Sequence, residues 1–239
     1  MRVGSLFSGI GGIDLGLQRA GMEIAWQIEI DPFCQKVLAK HWPDVPRYGD
    51  IKTVRGDEVG AVDIVAGGFP CQPVSLAGQR AGQSDERWLW PEFARILRVV
   101  RPRYVLVENT PGLLSLGMGS VLRDLADIGF DAEWQVLSAK AVGAPHLRRR
   151  VFIVAYRRGQ RMEGFWQGPV PRFNEFSWCQ DVRSIEDLRC RPDIPQPLLC
   201  GGRNGIPHYV DRLRALGNAV VPQVVEQIGR AIMAAGGTK

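Results

Sequence analysis

Apolar residues in the first two-thirds of the chain fall into short runs that alternate with stretches of helical period. Residues 2–7 form the first run and predict a strand. Over 13–20, Ile13, Leu17 and Ala20 stand four and three apart, the spacing of one helical face, and Gly21 follows as a helix-ending residue. Residues 23–29 predict a second strand. Asp31 then stands as an N-cap and Pro32 at the first position of a helix running to Lys40. Residues 62–66 predict a short buried strand, 92–100 a helix, 104–108 a strand, 120–128 a helix, and 132–136 and 151–156 two late strands. Strands alternating with helices predict a mainly parallel sheet covered on both faces. Ligands of such sheets bind at the carboxyl ends of the strands.

The alternation stops after Tyr156. Residues 157–208 contain Pro169, Pro171, Pro192, Pro195, Pro197 and Pro207 with little periodicity, and read as a loop-rich insertion. Regular pattern returns at 211–216 and in a helix over 222–234, which is expected to pack back on the first part. The chain therefore divides into 1–156, 157–210 and 211–239.

Composition narrows the class. A chain of 239 residues, 45% hydrophobic and 23% charged, suits one large α/β domain or a domain with a small addition. The net charge is +5. No acidic residue lies between Glu133 and Glu163, where Lys140, Arg148, Arg149, Arg150, Arg157, Arg158 and Arg161 fall. Such a stretch reads either as a phosphate-binding surface or as a solvated basic face. There is no apolar leader-like segment and no apolar run near the ~20 residues of a membrane helix, so a cytoplasmic protein without a membrane partner is expected. The five cysteines are expected as thiols, and Cys179, Cys190, Cys200 and His208 are spaced too widely for usual metal-ligand pairs, so no metal is expected.

Three segments carry candidate chemistry, each after a strand. The first is the glycine turn Gly9-Ile10-Gly11-Gly12, with Glu29 twenty residues after Gly9, a spacing that suits a carboxylate on ribose hydroxyls. Asp14 takes the third glycine position of a dinucleotide fingerprint, which weakens a nicotinamide reading, and a cationic sulfonium donor suits the acidic and aromatic neighbours. Asp50 sits where a third strand would end and reads as an adenine acceptor or as a helix N-cap. The second segment is Gly67-Gly68-Phe69-Pro70-Cys71-Gln72-Pro73, a constrained loop around one thiol, which reads as a nucleophile. The third pairs Glu108-Asn109 with Arg148 and Arg150; an acid leaving an apolar strand has a raised pKa where it is poorly solvated, and otherwise reads as a helix-capping or salt-bridged Glu. Alternation along a strand would aim both arginines at one site.

Taken in order, Phe7–Gly12, Glu29, Asp50, Pro70-Cys71-Gln72, Glu108-Asn109, Arg148/Arg150 and the late Gly217-Asn218-Ala219-Val220-Val221-Pro222 resemble the DNA cytosine-5 methyltransferase family over nearly all of the chain outside 157–211. The resemblance implies an α/β fold with a Rossmann-like S-adenosyl-L-methionine-dependent methyltransferase sheet, helices on both faces, and a small irregular target-recognition domain at 157–210. It implies that 1–156 carries catalysis and cofactor, with 211–239 returning to it. Cys71 would add to C6 of cytosine, Glu108 would serve N3, Arg150 the carbonyl at C2, and Arg148 would support the site. Phe7, Gly9, Ile10, Gly11, Gly12, Glu29, Ile30, Asp50, Ile51, Pro70, Asn218 and Ala219 would surround S-adenosyl-L-methionine, leaving S-adenosyl-L-homocysteine. Gln72, Ser75, Gln79 and Arg80 would meet the DNA, with Arg157, Arg158 and Arg161 on phosphates. The base must leave the stack to reach a thiol.

The resemblance implies double-stranded DNA as partner, a monomer, and a cognate restriction enzyme as a possible companion. His146, Thr110 and Glu86-Arg87-Trp88 depart from the family pattern, which touches loop packing more than the reaction. Three rivals stand beside this reading: an RNA cytosine-5 methyltransferase, a catalytically silent DNA-binding relative, and a nicotinamide oxidoreductase.

Overall fold

The structure, a computed structural model, describes residues 1–70, 88–144, 146–159 and 209–237. In chain order the elements are β1 (Arg2–Leu6), α1 (Gly12–Arg19), β2 (Glu23–Ile28), α2 (Pro32–His41), β3 (Arg47–Tyr48), β4 (Ile64–Gly67), α3 (Trp90–Val100), β5 (Tyr104–Asn109), α4 (Leu113–Leu116), α5 (Met118–Ile128), β6 (Phe130–Ser138), a 3-10 turn (Ala139–Val142), β7 (Arg149–Arg157), α6 (Tyr209–Asn218) and α7 (Pro222–Gly237). The strand and helix expectations are met, most within two residues at each end. The Asp31 carboxylate caps α2 by accepting from Phe33 N and Cys34 N, with Pro32 at its start.

One seven-stranded sheet has the order β3-β2-β1-β4-β5-β7-β6. Neighbours from β3 to β5 pair in parallel, whereas β7 pairs antiparallel with both β5 and β6. The chain builds outward from β1 in one direction and, from β4, in the other. A crevice therefore opens beyond the carboxyl ends of β1 and β4, where the helices leave for opposite faces. Reversal of β7 brings its first residues to that same edge.

The strands are apolar because both faces are covered. Trp26, Ile28, Val65, Val105, Val107 and Ile153 pack with α3 and α5 on one face. Val3, Ile24, Ile64, Ala66, Leu106 and Val154 pack with α1 and α7 on the other. The expected return of the last helix is observed: a Cβ on Gly16 would lie 2.6 Å from Pro222 O and from Val225 Cβ, so α1 and α7 approach as closely as they do only because residue 16 lacks a side chain.

Beneath the first turn lies a polar network within this core. Asp14 is fully buried and accepts from Ser5 Oγ at 2.9 Å and from Gln27 Nε2 at 2.8 Å. Ser8 Oγ donates to Ser5 Oγ at 2.8 Å, which links the network to the loop above it. Burial raises the Asp14 carboxyl to about 6, against the lowering effect of the Gln27 and Ser5 bonds. A folded-state pKa above the unfolded value means that stability is lost as pH rises through about 6 and is regained toward the unfolded value near 3.8. Asp14→Asn keeps the shape, accepts from Gln27, and donates to a hydroxyl that can also accept. The variant is expected to melt several degrees above the parent at pH 8, by relief on the order of 3 kcal/mol. The two should converge near pH 4, as read by thermal unfolding across pH; a constant difference at all pH values would refute the buried-acid account.

Candidate active site

A cavity of about 490 Å³ occupies the crevice at the carboxyl edge. Its wall comes from the loop after β1 (Phe7, Ser8, Gly9, Ile10, Gly12), the segment leading from β2 into α2 (Glu29, Ile30, Asp31, Cys34), the turn after β3 (Asp50, Ile51), the stretch after β4 (Gly68, Phe69, Pro70), the end of β5 (Glu108, Asn109, Thr110), Arg150 of β7, and Asp211, Arg214, Asn218 and Ala219 of the C-terminal segment.

The glycine turn is built for close approach. Phe7 and Gly9 both hold left-handed φ, at 53° and 55°, and a Cβ on Gly9 would meet nothing within 4 Å. Gly9 thus offers open backbone to a ligand. Glu29 is fixed by its own loop: Oε2 accepts from Gly9 N at 2.7 Å and Oε1 from Asp31 N at 2.8 Å. Burial pushes its carboxyl up, while the Asp31 and Gly9 amides hold it down. Each carboxylate oxygen keeps a lone pair for a ligand hydroxyl. Asp50 makes a tight turn, with Oδ1 accepting from Lys52 N at 3.0 Å; no helix follows, so the N-cap reading gives way to a side-chain-closed turn. Gly11 is a correction: it is absent from the cavity wall, and a Cβ there would lie 2.4 Å from the Trp42 ring. Its φ of 83° at the N-cap of α1 explains the glycine.

At the other end of the cavity, Glu108 Oε1 receives Arg150 Nε at 2.9 Å. The pair forms because β5 and β7 run antiparallel, with Glu108 opposite Phe152, so the start of β7 meets the end of β5. Burial raises the Glu108 carboxyl to about 7, against the lowering effect of Arg150 and Arg148. The glycines after β4 have distinct reasons. A Cβ on Gly67 would stand 2.4 Å from Leu6 O, and one on Gly68 would stand 2.6 Å from Glu108 Oε2. Asn109 Nδ2 donates to Phe69 O at 3.1 Å, and the Phe69 ring packs edge-on to Trp88 at 5.2 Å. The stem on both sides of 71–87 is therefore anchored in the core.

Cys71, Gln72, Ser75, Gln79, Arg80 and Arg161 lie outside the described residues, as do Cys179, Cys190, Cys200 and His208. Most of the expected target-recognition segment lies there too. Pro70, the residue before Cys71, lines the cavity.

The arginines divide between the two ends of β7. Arg148 precedes β7, with a left-handed φ of 25°, so strand alternation does not govern it. It stands near enough to lower the Glu108 pKa and shares a second, more open groove with Arg150 and His146, but only Arg150 also lines the main cavity. Arg157 and Arg158, expected on phosphates, lie away from the cavity. Arg157 ends β7, roughly 23 Å of strand beyond Arg150, at the amino-terminal edge of the parallel strands. Its guanidinium lies 4.5 Å over the Phe130 ring and donates to Pro102 O at 3.1 Å. Arg158 faces Asp131 at 3.6 Å. The acid-free stretch is thus split between two edges, with counter-charges supplied by other strands.

Sequence reading missed Cys34, Asp211 and Arg214 in the cavity wall. Burial, with Glu29 and Asp31 alongside, pushes the Cys34 thiol up to about 12, which marks it as an inert wall residue. The period of Asp211, Arg214, Ala215 and Asn218 was the available signal, since these share one helical face.

A doubly wound sheet whose last-but-one strand is reversed, with a glycine turn and an acid on adjoining strand ends, defines the Rossmann-like sheet of the S-adenosyl-L-methionine-dependent methyltransferases. Residues 1–193 match C-5 cytosine-specific DNA methylase, and the chain belongs to that family. It is 34% identical over 169 residues to the type II methyltransferase M.NgoMIV of Neisseria gonorrhoeae, covering 69% of this chain and 54% of that one. It is 34% identical over 181 residues to the type II methyltransferase M.AquIA of a Picosynechococcus species, covering 66% and 73%. A solved E. coli structure, described as a DNA modification methyltransferase encoded within a prophage, superposes with a TM-score of 0.57 at 27% identity, covering 66% of this chain and 47% of that one. The chain spans about half the length of the first curated relatives that it matches. No helix among the described residues is long and apolar enough to cross a membrane.

Proposed function

We propose that the protein transfers a methyl group from S-adenosyl-L-methionine to C5 of cytosine in a short target sequence of double-stranded DNA. One observation carries the reading: a single cavity has an open glycine turn with a fixed carboxylate at one end and a buried acid–arginine pair at the other. Its volume, about 490 Å³, suits a cofactor-sized ligand. Gly9 gives backbone access, Phe7 and Ile51 give apolar surface, and Glu29 gives acceptors for ribose hydroxyls. Asp50 and Ile30 border the adenine, and Asn218 and Ala219 close the pocket. These residues fit the methyl donor, which supplies an electrophilic methyl group when bound.

The chain's own residues do the rest. Cytosine C5 is a weak nucleophile. The Cys71 thiolate adds to C6, forming a carbon–sulfur bond, and Glu108 places a proton or strong hydrogen bond on N3. Arg150 holds the carbonyl oxygen at C2, where negative charge also builds. C5 then accepts the methyl group. A solvent base takes the C5 proton, its electron pair re-forms the C5–C6 double bond as the Cys71 sulfur leaves as thiolate, and N3 returns its proton to Glu108, which restores the ring. The target nucleotide must flip out of the duplex to enter the cavity. Gln72, Ser75, Gln79, Arg80 and Arg161 are assigned to DNA, while the carbonyl and aromatic partners of Arg157 argue for a structural task. The type II names of the relatives favour a setting beside a restriction enzyme.

Bisulfite sequencing of a random duplex library, after incubation with protein and donor, tests the reading. Protected cytosines in one short sequence context are expected, with transfer RNA unmodified. A fully converted library would sink it, and modification confined to RNA would favour the RNA rival.

A further inference from the structure

Arg148 and Arg150 stand two residues apart and both act on Glu108, yet their guanidinium groups bond to different partners. Arg150 lines the main cavity and pairs with Glu108. The Arg148 guanidinium reaches across the fold to the end of α6, where Nη2 donates to Gly217 O at 2.9 Å and to Ala219 O. We propose that Arg148 is a positioning residue for the methyl donor: it clamps the carbonyls at the end of α6 and so fixes Asn218 and Ala219 in the cavity wall. The inference rests on the donor reading given above.

Three observations support the clamp. The turn between α6 and α7 contributes a long bond of its own, from Ala219 N to Leu216 O at 3.3 Å, and Gly217 and Asn218 are exposed. An external donor therefore has work to do there, since the last carbonyls of a helix have no partner within it. A cation at a helix C-terminus also meets the negative end of the helix dipole. The backbone of Arg148 is held at a φ of 25°, a conformation that costs energy for a residue with a Cβ and that persists only where surrounding contacts enforce it. The clamp has leverage because α6 places Asp211, Arg214 and Ala215 in the same cavity wall. A loosened end of α6 would disturb the donor pocket along its whole C-terminal side.

The test separates donor binding from chemistry. Calorimetry with S-adenosyl-L-homocysteine in the absence of DNA gives Kd, and methyl transfer to duplex DNA at saturating donor gives kcat. Arg148→Met is expected to weaken Kd on the order of tenfold and to change kcat by a smaller factor, through its charge on Glu108. Arg148→Lys, with one ammonium for two carbonyls, should fall between. Arg150→Met should do the reverse, keeping Kd and losing kcat. Should Arg148→Met fail to fold, Arg148→Lys and Asn218→Ala carry the test. Asn218→Ala should weaken Kd, and the double variant should lose less than the sum of the two single losses, because both changes act on the Asn218 contact. Unchanged Kd with reduced kcat in Arg148→Met, or fully additive losses in the double variant, would overturn the clamp. A parent protein that binds no S-adenosyl-L-homocysteine would overturn the donor reading itself, and the clamp with it.

Discussion

Cys71→Ala is expected to abolish methyl transfer, by on the order of 10⁴-fold or more, while S-adenosyl-L-homocysteine binding is kept. Without a thiolate there is no bond to C6, and C5 stays too electron-poor to take the methyl group. Orientation and hydrogen bonding at the ring then have little left to stabilise. Duplex DNA with 5-fluorocytosine at the target gives a second readout. The parent protein with donor should form an adduct that survives denaturation, since C5 then carries fluorine where a proton would leave, and fluorine cannot depart as a cation. Cys71→Ala should form none. A stable adduct in the alanine variant would move the nucleophile elsewhere. Methylation that persists in that variant would remove covalent activation from the mechanism. The thiol in the cavity wall, Cys34, supplies no ready substitute, because burial pushes it up to about 12, far from the thiolate form.

The legible and the hidden parts of the chain divide along physical lines. Strands buried on both faces must be apolar runs, so β1, β2, β4 and β5 were visible, and the crevice at their carboxyl ends followed from the connectivity. Direction was not visible in β7. An apolar run looks the same in either sense, and the β6–β7 connection, through a 3-10 turn and the 143–148 stretch, carries no short hairpin signal. Reversal alone explains why Arg150 meets Glu108 and why Arg157 ends at the opposite edge. In the sequence, Asp14 reads only as the residue in place of a third glycine. Its partners were hinted at by Ser5 and Gln27, polar residues that turn out to face one another in neighbouring strands. The Gly67-Gly68 pair was legible as constrained, but its reasons, Leu6 O and the Glu108 carboxylate, are contacts between distant segments that no local pattern encodes.

Glu108→Gln should lower kcat/KM on the order of 10²-fold to 10³-fold, with a pH signature that distinguishes proton donation from simple polarity. Gln can donate a hydrogen bond to N3, but it cannot deliver a proton. In the parent, burial outweighs the nearby arginines and leaves the Glu108 carboxyl at about 7, so the acid form is substantially present at neutrality. Since kcat/KM reports groups of the free protein, that value should appear directly in its pH profile. The thiolate fraction of Cys71 rises with pH in parent and variant alike and cancels in their ratio. The ratio of parent to Glu108→Gln should therefore be flat below pH 7 and fall about tenfold per unit above it, as Glu108 loses its proton. A flat ratio across pH 6–9 would mean that Glu108 acts only as a fixed hydrogen-bond partner. Gly68→Ala is the matching control: its methyl group would stand 2.6 Å from Glu108 Oε2 and push the carboxylate off Arg150 with the acid still present. That variant should lose rate yet keep a titration. Because the displaced carboxyl forfeits the Arg150 contact that lowers its pKa, the falling limb should move to higher pH; a limb that stays in place would separate the titration from Glu108 altogether.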